Sequence, residues 1–237
     1  MNESIYNISM LRLSMALIPV LAVMWIYIKW SLPVQTVLYA TTRMLLQLIA
    51  IGFALIPIFA IRSWIFQCTL LCVMLLIAGW ISIRPIKTYR KKHFQKALLG
   101  LSIGCVFTLI IVTGFVLQIT PWDEPRYVIP LAGMIFSNAM NSVSLAAERL
   151  QSEKRKRTPF IEARNAAFKT SLLPTLNMFF AVGLVSLPGM MTGQILAGIS
   201  PLIAVRYQIM VMCMVLGSAG ISAAIYLLLN SEEMRSA

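Results

Sequence analysis

Residues 134–149 read MIFSNAMNSVSLAAER. Ser137, Asn138, Asn141, Ser142 and Ser144 interrupt a run that is otherwise apolar enough to lie in lipid, and Glu148 and Arg149 close it. At helical spacing Ser137, Asn141, Ser144 and Glu148 fall at i, i+4, i+7 and i+11, a single face, with Asn138 on its edge. An unpaired amide in hydrocarbon costs several kcal/mol, so this face is expected to look at other helices or at a water-filled path, not at lipid. Two readings stay open at this point. The polar groups are interhelical glue, worth about 0.6 kcal/mol per contact, or they line a transport path.

Working outward, the whole chain carries the composition of a membrane protein. Hydrophobic residues make up 59% of the 237 and charged residues 12%, against about 45–50% apolar in an ordinary soluble chain; mean hydropathy is +0.83. A soluble bundle of this length needs more charge to cover its surface. The fold class is therefore an all-α integral membrane protein. A span needs about 20 apolar residues, and on that measure seven transmembrane helices are expected, near 10–29, 34–60, 63–83, 97–119, 127–147, 171–188 and 204–229. No repeat or linker divides residues 1–237, which read as a single membrane domain. The N-terminus, MNESIYNISM, lacks the basic region and cleavage site of a removable signal peptide.

The formal charge of +12 sits mostly in two loops, Arg84–Lys96 and Arg149–Lys169. Such clustering between apolar spans marks the cytoplasmic side and favours anionic lipid; no nucleic-acid partner is expected. Asp123 and Glu124 occupy the opposite turn, which places the N-terminus outside and the C-terminus inside. The four cysteines, Cys68, Cys72, Cys105 and Cys213, lie in apolar runs and read as reduced core residues. His93, the one histidine, reads as a solvated residue without a ligand or triad partner. There is no GxxxxGK[ST] phosphate loop, HExxH or GxSxG, so the chain is not expected to be an enzyme.

Three further features are candidates for function. Arg43 and Gln47 lie at i, i+4 in the second span; Arg43 can snorkel to the headgroups, whereas Gln47 is deeper and pairs well with the Asn138/Asn141 face. The stretch 185–201, VSLPGMMTGQILAGISP, is bracketed by Pro188 and Pro201 and reads as a short re-entrant or outer-surface helix, with a Gly189/Gly193 pair suited to close helix approach. Met190, Met191 and Gln194 there are candidates for a gate or a metal contact, against the plainer reading of the methionines as core filler. The cytoplasmic segment 148–170 offers Thr158 as N-cap with Pro159 at the first helical position, and Phe160, Ile161 and Phe168 as an apolar side for a lipid surface or a partner's groove.

The motifs SNAMNSVSLAAERL, TSLLPTLN, VGLVSLPGMMTGQILAGISP and AVRYQIMVMCM, with RMLLQLIAIG in the second span, resemble the FetB (YbbM)-type family of ABC-transporter permeases over about residues 40–229. The resemblance implies a permease that exports iron or another metal from the bacterial plasma (inner) membrane, likewise as a homodimer, with a separate ATP-binding subunit. This chain then binds no cofactor of its own, and ATP and Mg belong to the ATPase. It also implies a substrate path along Gln47, Ser137, Asn138, Asn141, Ser144 and Glu148, and an ATPase contact at Thr158, Pro159, Phe160 and Phe168. Related plant permeases are linked to aluminium tolerance and to nucleotide-sugar transport, so a non-metal substrate is one alternative and a membrane scaffold without transport is another. Family members carry a longer stretch after the fifth span, ending in a Leu-Gly-Ala-Thr-Pro-like motif, of which Arg157, Thr158 and Pro159 remain here.

Overall fold

A computed structural model describes residues 8–61, 63–86, 90–120 and 124–231. Asp123, part of the basic loop at 87–89 and the end of the C-terminal tail lie outside the described residues. The chain forms two compact units, residues 1–60 and 61–237.

The first unit holds α1 (Met10–Met15), α2 (Ile18–Lys29) and α3 (Val34–Ala60). The expected span over 10–29 is interrupted: Pro19 has no N–H to give the carbonyl of Met15, and the chain restarts as α2 with proline in its first turn. Ser31, at φ 55°, turns the chain between α2 and α3. None of the three helices buries a residue, and their exposed side chains are mostly Leu, Ile, Met, Phe and Trp, a surface suited to acyl chains.

The second unit holds α4 (Trp64–Ser82), α5 (Arg90–Ile110), α6 (Pro125–Arg155), α7 (Phe160–Ala181), α8 (Gly189–Leu196) and α9 (Pro201–Leu229), with a π-helical turn, Ile111–Val116, extending α5. Helix α9 packs against α5, α6, α7 and α8; helix α6 also packs against α4, α5 and α7. Six stretches among the described residues are long and apolar enough to cross a bilayer: Met10–Lys29, Val34–Ala60, Trp64–Ser82, Arg90–Val116, Pro125–Arg155 and Pro201–Leu229. The remaining expected span, 171–188, corresponds to the second half of α7. At 1.5 Å per residue α7 is about 33 Å long, but Glu162, Arg164 and Lys169 in its first half make it less apolar than the others. It ends at Ala181, where Gly183 at φ 81° turns the chain and donates its N–H to the Ser186 carbonyl at 2.9 Å. The Pro-bracketed piece is α8, eight residues and so about 12 Å long, too short to cross.

Close helix approach occurs away from the expected place. Among the described residues of the one chain a Cβ at Gly189 or Gly193 would meet nothing within 4 Å, so no helix of the same chain packs closely on that GxxxG pair. The seam is between α5 and α9. A Cβ at Gly100 would come within 2.8 Å of the Ser222 carbonyl oxygen, and one at Gly104 within 2.8 Å of the Ser222 amide nitrogen. Small residues at i, i+4 on both helices, Gly100/Gly104 and Ser218/Ser222, let the backbones touch.

Two other expectations change. Of the cysteines only Cys105 is buried, near Ser222 Oγ at 3.9 Å; Cys68, Cys72 and Cys213 are free and exposed, because they lie on the outer faces of their helices, where apolar character serves lipid as well as core. His93 is half-buried and shares a hydrogen bond with Tyr226 Oη at 3.0 Å. Beside it Lys96 Nζ donates to Asn230 Oδ1 at 3.2 Å, and Asn230 Nδ2 donates to the Tyr226 carbonyl at 2.7 Å, which ties the start of α5 to the end of α9. The helix begins at Arg90, so half of the presumed basic loop is helical and His93 faces a neighbour.

Candidate polar crevice between the sixth and seventh helices

Helix α6 begins at Pro125 after an extended Glu124 and runs 31 residues to Arg155 without a break at Pro130. Its inner face is apolar and small, with Ala132, Ala139, Val143, Ala146 and Ala147 fully or almost fully buried. The predicted polar face lies elsewhere on the cylinder. Ser137, Asn141 and Glu148 are exposed and Asn138 and Ser144 half-buried. Ser137 Oγ and Asn138 Nδ2 both donate to the Met134 carbonyl, at 3.1 and 2.9 Å. Within one chain Asn138 and Asn141 border α7, and the small residues that seat α6 lie elsewhere on the helix.

At one edge of the stripe the helices form a polar crevice of about 180 Å³. Asn138, Asn141, Ser142 and Leu145 supply one wall, and Ser171, Pro174, Thr175 and Met178 of α7 the other. Ser142 Oγ donates to the Ser171 carbonyl at 3.2 Å, which stitches the two helices, and Ser171 Oγ donates back to the Phe168 carbonyl at 2.8 Å. Ser142, Ser171 and Thr175 are almost fully buried. Pro174 sits inside α7, which continues through it to Ala181; having no N–H, it leaves the carbonyl of Thr170 without its helical donor. The lining thus mixes hydroxyls and amides with the apolar Leu145, Pro174 and Met178, and holds no charged side chain.

The other predicted residues are distributed around the molecule. Gln47 is exposed on α3 in the first unit. Ser137, Ser144 and Glu148 do not line the crevice. Met190 and Gln194 border a different cavity of about 370 Å³, with Met134, Met210, Arg126 and Tyr207, and Met191 borders a third. Among the described residues no three His, Cys, Asp or Glu side chains cluster to hold a metal ion.

In the segment 148–170 Thr158 is not the N-cap. Its hydroxyl donates to Glu153 Oε2 at 2.8 Å, and Pro159, at φ −53° and ψ 143°, takes the cap position before Phe160. Glu153, hardly exposed, also pairs with Arg149 at 2.8 Å and Lys156 at 3.6 Å, and its carbonyl accepts the Thr158 N–H at 3.2 Å. A nearby carboxylate outcompetes the bare helix terminus for the threonine hydroxyl. Arg157, at φ 58°, completes the turn. Phe168 packs against the core and borders a shallow crevice with Arg164, Asn165, Ala224, Leu227 and Leu228, whereas Ile161 is 62% exposed. The Arg164 guanidinium lies 6.0 Å from the centre of the Phe160 ring.

Ser142, Ser171, Thr175 and Glu153 were not singled out by the sequence. Ser142 stands in the opening stretch but one position off the predicted face, and Thr175 follows Pro174 in TSLLPTLN; a proline with hydroxyls on either side inside an apolar span was the available signal.

The model of the uncharacterised protein family UPF0014 matches residues 10–234. A UPF0014 membrane protein of Synechocystis sp. is 38% identical over 194 residues, 76% of this chain and 75% of the relative. The probable iron export permease protein FetB of Escherichia coli is 34% identical over 241 residues, 93% of this chain and 90% of the relative. The protein ALUMINUM SENSITIVE 3 of Arabidopsis thaliana is 34% identical over 207 residues, 78% of this chain and 72% of the relative. No solved structure matches.

Proposed function

We propose, from the premise that this chain belongs to the UPF0014 family of membrane proteins, that it is the permease subunit of an ATP-driven exporter of iron or another metal. A separate ATP-binding subunit binds ATP and Mg and supplies the energy, and two permease chains pair in a bacterial inner membrane with N-termini outside and C-termini inside. The observation that carries this reading is the polar crevice between α6 and α7. It sets Asn138, Asn141 and Ser142, on a helix long and apolar enough to cross a bilayer, against Ser171 and Thr175 of α7. Groups of this kind inside a span mark a solute path. The exposed continuation of the stripe, Ser137, Asn141 and Glu148, supports pairing, since a second copy covers what lipid would leave unsatisfied.

The crevice handles cargo through neutral oxygens. A hard cation that sheds water needs oxygen ligands, and the hydroxyls of Ser142, Ser171 and Thr175 and the amide oxygens of Asn138 and Asn141 are the ones in the lining. Rings of neutral carbonyls serve that purpose in ion channels. Without a carboxylate in the lining, a multivalent ion passes with part of its water or ligand shell retained. The same neutrality favours one second reading, a permease for a polar non-metal solute such as a nucleotide sugar.

The test is co-purification with an ATP-binding subunit, reconstitution, and ATP-dependent uptake of iron into inverted vesicles. ATP-dependent iron flux that Asn141→Leu removes supports the proposal. An associated ATPase with flux of a nucleotide sugar and none of iron supports the second reading, and neither ATPase nor flux leaves a membrane scaffold.

A further inference from the structure

The basic start of α5 divides between two neighbours. His93 and Lys96 bond Tyr226 and Asn230 of α9. Arg90 and Phe94 turn instead to α4. The Phe94 and Trp80 rings meet edge to face with centres 5.9 Å apart, and the Arg90 guanidinium lies over the same indole, 4.2 Å from its centre. Stacking holds the cation by its flat face and leaves its N–H edge for another group. No N–H of that edge finds an acceptor among the described residues, and no salt bridge among them takes Arg90 or its exposed neighbour Lys91. Arg90 Nε is buried, whereas its Nη groups are open.

The surface around Trp80 decides what the Nη groups meet. Its ring is 53% exposed and closes an outward apolar stripe on α4, Val73, Leu76 and Ile77, two residues before the helix ends at Ser82. On α5 the outward stripe at i, i+4 spacing is apolar at Phe107, Ile103 and Leu99 and turns polar at Gln95 and Lys91, all of them exposed. A change from hydrocarbon to polar side chains along one lipid-facing stripe marks the level of the headgroups, where tryptophan concentrates. Arg90, one residue before Lys91 and stacked on Trp80, stands at that level on the outside of the helix pair. We propose that Arg90 and Trp80 form a binding site for one anionic phospholipid, the Nη groups taking the phosphate oxygens and the indole lying against the head of an acyl chain.

Each part of that description has its own reason. The acceptor is a phosphate because a planar guanidinium edge matches its oxygens, and phosphate is the anion that lipid brings to this depth. The ligand is a lipid, not a free anion, because the site opens on an apolar stripe that needs an acyl chain to cover it. Its net charge is negative because Arg90 and Lys91 have no carboxylate partner, so the ammonium of a zwitterionic headgroup meets only like charge.

The test uses the full-length chain with Trp80 as its one tryptophan, Trp25, Trp30, Trp64 and Trp122 being replaced by Phe. This parent is placed in bilayers of phosphatidylcholine and phosphatidylglycerol in which one lipid or the other carries brominated acyl chains. Bromine quenches an indole that it touches, so the two quenching curves give the relative binding of the two lipids at Trp80. Phosphatidylglycerol is expected to bind about fivefold more tightly than phosphatidylcholine, the weight of one guanidinium at a headgroup. Arg90→Gln is expected to remove most of that preference. Arg90→Lys keeps the charge but loses the stacked fork, and is expected to remove part of it, which keeps the test decisive if the Gln variant misfolds. Inorganic phosphate added at constant ionic strength is expected to leave the parent's preference in place. Equal binding of the two lipids by the parent, a preference undiminished in either variant, or its removal by inorganic phosphate overturns the proposal.

Discussion

Substituting Gly104 by Ala tests whether the α5–α9 seam holds the second unit together. The new Cβ would lie 2.8 Å from the Ser222 amide nitrogen and 3.2 Å from the Ser218 carbonyl oxygen. Ordinary contact needs about 3.5 Å or more, so the two helices must part by roughly 0.7 Å at this level. The nearest obstacles include backbone, which cannot swing aside as a side chain would. Overpacking of this kind costs about 1–3 kcal/mol, offset by about 0.5–1 kcal/mol because alanine is the better helix residue. A net loss of about 1–2 kcal/mol corresponds to an apparent melting temperature lower by roughly 2–8 °C in a chain of this size. Gly193→Ala is the control, since its Cβ meets nothing within 4 Å; it is expected to match the parent or melt slightly higher. Scanning fluorimetry in one detergent at one scan rate makes the comparison, because unfolding of such proteins is rate-dependent. Adding Ser222→Ala to Gly104→Ala removes the hydroxyl but not the amide nitrogen, so recovery should be partial. If Gly104→Ala melts with the parent, or no lower than Gly193→Ala, the seam argument is wrong.

Other outcomes follow from the crevice and the Glu153–Thr158 turn. Asn141→Leu is expected to abolish ATP-dependent flux in vesicles with little change in melting temperature, because Asn141 is exposed within its unit; a lowered melting temperature with normal flux would make it structural glue. Thr175→Val keeps the shape and removes one of the crevice hydroxyls, and should lower flux while the Ser142–Ser171 bond keeps the helices paired. Glu153→Gln weakens the pairs to Arg149 and Lys156, so the turn should open more often and trypsin should cut within Lys154–Arg157 several-fold faster, the effect expected from losing about 1–2 kcal/mol of charged hydrogen bonding. For the expected ATPase contact, Phe160→Ser with Ile161→Ser is the informative pair and should weaken co-purification of the ATPase without changing melting. Phe168→Ser should lower melting as well, because that ring packs on the core.

Helix content and membrane character were legible because they depend on composition and run length, which tertiary contacts do not alter. The spans near 34–60, 63–83 and 204–229 matched to within a few residues for that reason. The direction in which a residue faces was harder. In lipid, apolar residues cover both the outside and the inside of a helix, so hydrophobic periodicity no longer separates the two; hence Cys68 and Cys72 were placed in a core and are exposed. The same ambiguity holds at Gly189 and Gly193, where the spacing of a close-packing pair meets no helix among the described residues of the one chain, while Gly100 and Gly104 at the same spacing approach Ser222. Polar residues were the better guide. Asn138 and Asn141 do border a polar crevice, although its opposite wall, Ser171 and Thr175, was hidden because a hydroxyl beside a proline is common in membrane helices. Glu153 was missed because its role depends on the chain doubling back five residues later at Thr158.

The electrical neutrality of the α6–α7 crevice has a consequence for energetics. Its eight lining residues, Asn138, Asn141, Ser142, Leu145, Ser171, Pro174, Thr175 and Met178, have no group that gains or loses a proton in the physiological range. Occupation of the crevice therefore exchanges no proton with solvent, and its affinity for an uncharged solute should be flat from acid to alkali. A transmembrane proton gradient acts on a carrier by changing the protonation of a group at the binding site, and at this site it has nothing to act on. On the transport reading proposed above, the crevice must then be reoriented by a mechanical pull on its helices, and α7, which follows directly on the Glu153–Thr158 turn, is the helix that a pull on that turn reaches first.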